Sequence, residues 1–252
     1  MKAGRSLSRD FGEVQNLQVS MKGPGDFVSQ ADHKAEEIIH AELSRARPDY
    51  AFLMEESGAV SGADGQHRFI VDPLDGTTNF LHGIPMFAIS IGLERQGQMV
   101  AGVIYNPAMD ELYTAERGGG AFVNDRRLRV AGRRKLTDCV IGTGIPHLGR
   151  GDHGKFLIEM RHVMGEVSGV RRMGAAALDL AYVAAGRLDG FWETGLQPWD
   201  MAAGLLMIRE AGGFVSDASG GQDMLENGSV VAGNELIHKA LLAQISKPYI
   251  KS

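Results

Sequence analysis

The chain has 252 residues, 44% apolar and 23% charged, a balance that suits a globular protein long enough to bury a core. Lys and Arg total 26 against 31 Asp and Glu, a net charge of -5, which excludes a strongly basic field for direct nucleic-acid binding. One cysteine, Cys139, excludes a disulfide framework and a Cys-rich zinc site, no apolar run is long enough to cross a membrane, and the start lacks a signal-peptide core, so a cytoplasmic protein is expected.

The first fifty residues read as helical. Ser29 with Asp32 three positions on predicts a capping box. Behind it Ala35, Ile38, Ile39, Leu43 and Ala46 recur at helical spacing, and Pro48 closes the run. Residues 50–54 and 69–71 read as short strands, separated by a Gly/Ser/Ala-rich loop over 58–65. Phe87, Ile89, Ile91 and Leu93 alternate, Gln96-Gly97 turns, and 99–105 returns, which is a hairpin. Asn106-Pro107 turns again before 111–115, and Gly118-Gly119-Gly120 breaks the meander. Beyond it, strands at 139–143, 169–173, 188–192, 214–215 and 230–231 alternate with helices at 153–164, 175–185, 201–211 and 234–245. The first of these helices is expected to turn Phe156, Leu157, Met160, Val163 and Met164 inward, and Asn234 caps the last. The pattern predicts a mixed α/β (α+β) layered architecture. One domain with two intimate halves, about 1–130 and 131–252, accommodates it. The basic run 132–135 is expected to be a solvated turn between them.

The stretch richest in chemistry is Val71-Asp72-Pro73-Leu74-Asp75-Gly76-Thr77-Thr78-Asn79. An apolar strand runs into two carboxylates across a proline, and a turn there would aim both at one point. Gly76-Thr77-Thr78 offers backbone N–H groups to an anion. Carboxylates beside anion-binding amides suit a hard cation such as magnesium between protein and phosphate. Asp-Pro and Asp-Gly are also common turn formers, so each aspartate alone has a purely structural reading. Glu55-Glu56 closes another apolar strand, and Trp199-Asp200 opens an apolar helix, where Asp200 would serve equally as an N-cap. Three carboxylate groups at the ends of apolar elements fit one metal cluster, the layout of two-metal phosphoryl hydrolysis. No G-x-S-x-G, H-E-x-x-H or Walker lysine motif is present. The Gly142, Gly144, Gly149 series is interrupted by Pro146, and the histidines show no ligand spacing.

These residues resemble the inositol monophosphatase family. The resemblance rests on Glu55-Glu56-Ser57, on 72–80, and on Trp199-Asp200 with Ala202-Ala203-Gly204. It extends to Lys22-Gly23 with Asp26-Phe27-Val28, to 174–181 and to 210–213, so it covers nearly the whole chain, and it is closest to the bacterial, extragenic-suppressor branch. The resemblance implies an αβαβα sandwich of the inositol monophosphatase and fructose-1,6-bisphosphatase type. It implies two or three Mg2+ ions, lithium sensitivity, and hydrolysis of a phosphate monoester by direct water attack. The substrate expected is inositol 1-phosphate. Histidinol phosphate, fructose 1,6-bisphosphate and 3′-phosphoadenosine nucleotides are the alternatives.

By the same resemblance Glu55, Asp72, Asp75 and Asp200 are metal ligands, and Leu74 adds its carbonyl. Thr77, with Asp32 behind it, orients the attacking water, although Asp32 is also the capping-box acid. Gly76 and Thr77 present N–H groups to the phosphate. Glu193 and Asp200 meet the substrate hydroxyls, and Arg171 with Gly174, Ala175 and Ala176 forms the rim. The family also implies a homodimer, while the lack of a long apolar run and the net charge of -5 lead to the expectation of no membrane and no direct nucleic acid. Some bacterial relatives act through a protein partner in RNA-related processes. Met54 stands where many relatives carry a small residue. The chain starts inside what resembles the first helix of the family, which is expected to weaken that helix.

Overall fold

The structure is a computed structural model that describes residues 1–13, 19–23, 26–149 and 151–248, with backbone alone over 19–23 and 26–28. The side chains of Lys22 and of residues 26–28, which carry part of the resemblance, lie outside the described ones. Helices α1 (Lys2–Gly12) and α2 (Gln30–Ala46) flank a hairpin of β1 (Val19–Gly23) and β2 (Asp26–Ser29). The expectation of an all-helical start is therefore corrected: Gly23-Pro24-Gly25 cannot propagate a helix. The capping box forms as expected, with Ser29 and Asp32 each satisfying an N–H of the other's backbone. Helix α1 is intact, with Leu7 wholly buried.

An eight-stranded sheet follows. It comprises β3 (Ala51–Met54), β4 (Gly58–Val60), β5 (His67–Asp75), β6 (Ala88–Arg95), β7 (Gln98–Asn106), β8 (Glu111–Glu116), β9 (Gly120–Val123) and β10 (Arg126–Arg127). Its order is β10-β9-β8-β7-β6-β5-β3-β4, antiparallel except where β3 runs parallel to β5. The hairpin around Gln96-Gly97 and the meander through β8 match the expected alternation. The 58–65 segment is not all loop, because β4 pairs with β3 through Phe52 and Val60 and covers that edge. A short helix α3 (Thr77–Leu81) leaves the end of β5.

The second sheet holds β11 (Val140–Thr143), β12 (Gly169–Arg171), β13 (Gly190–Thr194), β14 (Phe214–Ser216) and β15 (Ser229–Gly233), in the order β12-β11-β13-β15-β14. Helices α4 (His153–Met164), α5 (Ala176–Ala184), α6 (Pro198–Glu210), α7 (Met224–Asn227) and α8 (Glu235–Ile245) alternate with these strands. The result is a mixed α/β sandwich whose layers are read from three cores. Leu7, Ala35 and Ile39 of α1 and α2 pack on Phe69, Val71 and Ile89 of the large sheet. Between the sheets, α5 and α6 form a middle layer against Ile104 and Tyr113 on one side and Phe191 and Val230 on the other. Val163, Ile237 and Leu241 of α4 and α8 cover Trp192 and Val231 on the outer face of the small sheet.

The middle layer is buried all round, which its composition allows. All nine residues of α5 are buried, and α6 buries every residue from Met201 to Ile208. Two glycines let α6 approach the large sheet. Gly92 and Gly102 face each other across β6 and β7, and a Cβ on Gly102 would stand 3.1 Å from the Ala203 backbone. Helix α4 departs from expectation. Phe156, Glu159, Met160 and Val163 form its inner stripe, whereas Leu157 and Met164 are 66% and 60% exposed. Only one stripe of a helix lying on a sheet can turn inward, and residue 157 lies outside that spacing.

Candidate active site

Strand β5 ends in a bulge that aligns two carboxylates. Asp72 pairs with Ser90 and Asp75 with Ala88, so three steps on β5 oppose two on β6. In a regular strand, residues three apart point to opposite faces. The extra residue reverses that, and both aspartates face the middle layer. The expected turn is therefore a bulged continuation of the strand. Pro73 sits in the bulge, where the missing N–H costs no ladder bond. Asp72 Oδ1 accepts from the Leu74 N–H at 2.9 Å. Asp75 Oδ2 accepts from the Ala177 N–H at 2.7 Å and so caps the first turn of α5.

Two further acids arrive from other elements. Helix α6 begins with Gln197 as N-cap and Pro198 in its first turn, and Asp200 is the third residue, not the cap. Asp200 Oδ2 accepts from the Gln197 N–H at 2.7 Å. Asp72, Asp75 and Asp200 thereby offer oxygens that all lie within 4.8 Å of one another. The parallel register of β3 on β5, with Met54 beside Val71, sets Glu55 next to Asp72. Glu55 donates its N–H to the Val71 carbonyl, and its side chain lines the same cavity. Met54 is buried in the core behind it.

Electrostatics mark this cluster. Burial raises the Asp72 carboxyl well above its ordinary range, and the charges of Glu55, Asp75 and Asp200 raise it further. Asp75 is raised by burial and by Asp200, against which the Ala177 N–H works. Anionic oxygens held this close in a desolvated site repel one another unless a cation or protons intervene. Hard carboxylate oxygens converging at this spacing suit a hard divalent cation such as Mg2+.

Gly76 and Thr77 follow at the start of α3. Gly76 has φ +88°, and a Cβ there would stand 2.8 Å from the Met86 carbonyl oxygen, so only glycine fits. Thr77 Oγ1 lies 3.0 Å from both Asp32 Oδ1 and the Leu74 carbonyl oxygen. Its single proton goes to one of them. Asp32 is buried, which raises its carboxyl. It closes the capping box and also touches Thr77, because Oδ2 accepts from the Ser29 N–H at 2.9 Å while Oδ1 lies 3.0 Å from Thr77 Oγ1.

The acids open into a cavity of about 330 Å³. Gly174, Ala175 and Ala176 line it together with Glu193, as the sequence suggested. Arg171 is not among the lining residues; Arg172 is. Adjacent residues at a strand end point to opposite sides, and Arg171 is exposed with its guanidinium donating to the Val170 carbonyl. Glu193 lies on β13 beside Gly144, where a Cβ would collide with its carboxylate. The sequence reading also passed over Asp179. It lines the cavity and is 1% exposed. Burial raises its carboxyl well above the ordinary range, followed by the charges of Glu193 and Asp75. The available signal was a single acid inside the otherwise uncharged α5.

Known proteins resemble this chain in sequence and in fold. The model of the inositol monophosphatase family matches residues 1–251. The chain is 81% identical over 248 residues to a Mesorhizobium japonicum protein named inositol-1-monophosphatase, covering 98% of this chain and 93% of that relative. It is 45% identical over 247 residues to the Pseudomonas aeruginosa Nus factor SuhB, covering 96% and 91% respectively. The crystal structure of extragenic suppressor protein suhB from Bartonella henselae superposes with a TM-score of 0.97 at 69% identity, covering 99% of this chain and 96% of that one. From its sequence, its fold and these relatives, the chain is a phosphatase and belongs to the inositol monophosphatase family.

Proposed function

We propose that the protein hydrolyses a small polyol phosphate monoester, inositol 1-phosphate first among the candidates, in a Mg2+-dependent reaction. The observation that carries this reading is the convergence of Asp72, Asp75 and Asp200 within 4.8 Å in the wall of the cavity that Glu193 also lines. Those aspartates, with Glu55 and the Leu74 carbonyl, would hold two or three Mg2+ ions. Bound there, Mg2+ supplies activation of water and neutralisation of phosphate charge. Thr77 Oγ1, aligned by Asp32, orients the attacking water. The N–H groups of Gly76 and Thr77 orient the phosphate. Glu193 and Asp200 accept hydrogen bonds from hydroxyls of the leaving alcohol, and Gly174, Ala175 and Ala176 shape the rim beside Arg172. The carboxylate of Glu193 disfavours a second phosphate, which sets bisphosphates behind polyol monophosphates.

The test is phosphate release from inositol 1-phosphate with Mg2+, with EDTA, and with added lithium. Release that needs Mg2+ and falls with lithium is expected. A folded protein inactive on this substrate, and on histidinol phosphate, fructose 1,6-bisphosphate and 3′-phosphoadenosine nucleotides, overturns the reading.

The name of the Pseudomonas relative, Nus factor SuhB, supports a second role, binding a protein partner in transcription. Recovery of transcription proteins that survives Asp72→Asn would separate that role from catalysis. We further propose a cytoplasmic homodimer organised as two intimate halves. No helix among the described residues is long and apolar enough to cross a membrane.

A further inference from the structure

Strand β11 and the residue after it carry glycines at 142 and 144, two apart and therefore on one face. A Cβ on Gly144 would collide with the Glu193 carboxylate, and a Cβ on Gly142 would stand 2.8 Å from Leu188 Cδ1 and 3.1 Å from both Asp179 Oδ1 and the Phe191 ring. The missing side chains thus let each acid approach this strand, and both acids line the cavity.

Their surroundings differ. Asp179 is 1% exposed, and among the described residues no group hydrogen-bonds its Oδ1. The helix does not satisfy it, because the Ala177 N–H is taken by Asp75 and the Asp179 N–H by the Ala175 carbonyl. No salt bridge reaches Asp179 from the described residues, and the charge of Arg172 acts on it without a direct contact. A buried polar oxygen without a partner is costly and is retained where something else fills its valence.

We propose that Asp179 is a specificity-determining residue, which hydrogen-bonds a hydroxyl of the leaving alcohol, directly or through one water, alongside Glu193. This rests on the polyol-phosphate reading above. A carboxyl group meets a hydroxyl in either protonation form, since the ionised form accepts and the neutral form both accepts and donates. The charge acting most strongly on Asp179 is that of Glu193, so it is placed with the acid read above as meeting the hydroxyls of the alcohol. The ligand class is therefore a monoester whose alcohol carries further hydroxyls.

The test compares inositol 1-phosphate with phenyl phosphate, whose alcohol has no further hydroxyl, on wild type, Asp179→Leu and Asp179→Asn. Leucine keeps the branched shape and removes the polar atoms, while asparagine keeps both an acceptor and a donor. The ratio of kcat/KM for the two substrates is measured within each variant, so a fraction of misfolded protein cancels. The ratio is expected to fall at least tenfold in Asp179→Leu, through KM for inositol 1-phosphate, and to return to within about threefold of wild type in Asp179→Asn. An unchanged ratio in Asp179→Leu, or an equal loss in both variants, overturns the assignment. A wild type without preference for the hydroxylated substrate also overturns it and leaves the phosphatase reading standing. A wild type inactive on both substrates removes that reading first, and the assignment with it.

Discussion

Neutralising Asp72 should stabilise the metal-free protein while removing most of its response to Mg2+. The oxygens of Asp72, Asp75 and Asp200 lie within 4.8 Å of one another. Two full charges at that spacing repel by about 3.5 kcal/mol at an effective dielectric constant of ~20. Part of this repulsion is already relieved, because burial and the neighbouring acids raise the Asp72 carboxyl and favour protons in the cluster. The relief left for Asp72→Asn is then about 1–2 kcal/mol. In a chain of this size each kcal/mol moves Tm by roughly 2–4 °C, so the variant in EDTA should melt about 2–8 °C above wild type. For wild type, Mg2+ at a hundred times its Kd contributes about 2.7 kcal/mol, a rise of roughly 5–11 °C. Asp72→Asn should show less than a quarter of that rise. Melting curves followed by circular dichroism, with and without Mg2+, measure both effects. A variant that melts well below wild type in EDTA, or that gains as much from Mg2+ as wild type, refutes the reasoning.

Thr77→Val should lower kcat for inositol 1-phosphate by about a hundredfold or more, with Thr77→Ser restoring most of it, since only the hydroxyl held by Asp32 matters; stopped-time phosphate assays decide. Gly102→Ala should cost about 1–3 kcal/mol in urea denaturation, because its Cβ would meet the Ala203 backbone at 3.1 Å and backbone cannot step aside. Asp64 accepts N–H groups from Gln66 and His67, and these hold its carboxyl near about 2 against an ordinary 3.8. The folded value is the lower one, so the stabilisation is complete above about 3.8 and disappears as pH falls through about 2. The difference in Tm between wild type and Asp64→Asn should therefore be present at pH 6 and close as the pH approaches 2. An undiminished gap at pH 2 would assign the effect to shape alone.

Local signals in the chain were sufficient wherever neighbours in sequence are neighbours in space. Ser29 and Asp32, three apart, form their capping box whatever surrounds them. Gln96-Gly97 takes the positive φ that a tight hairpin needs. The acids at 55, 72, 75 and 200 were legible because each closes or opens an apolar run. Tertiary structure decided the rest. Whether Asp72 and Asp75 share a face depends on a bulge that exists only against β6. Pairing with a distant strand cannot be read from spacing along one. Leu157 and Met164 face solvent because only one stripe of α4 packs on the rest of the fold. Arg172 displaced Arg171 at the cavity because the strand phase at 171 is set by pairing of β12 with β11. Asp179 looked like one acid in a helix, and its unpartnered oxygen became visible only with Gly142 and Glu193 around it. Periodicity thus predicted a layered α/β fold, and the resemblance of the motifs pointed to the family and to most of the acids. Which oxygens meet, and which remain unsatisfied, is a matter of contacts between residues a hundred positions apart, and only the folded chain brings those together.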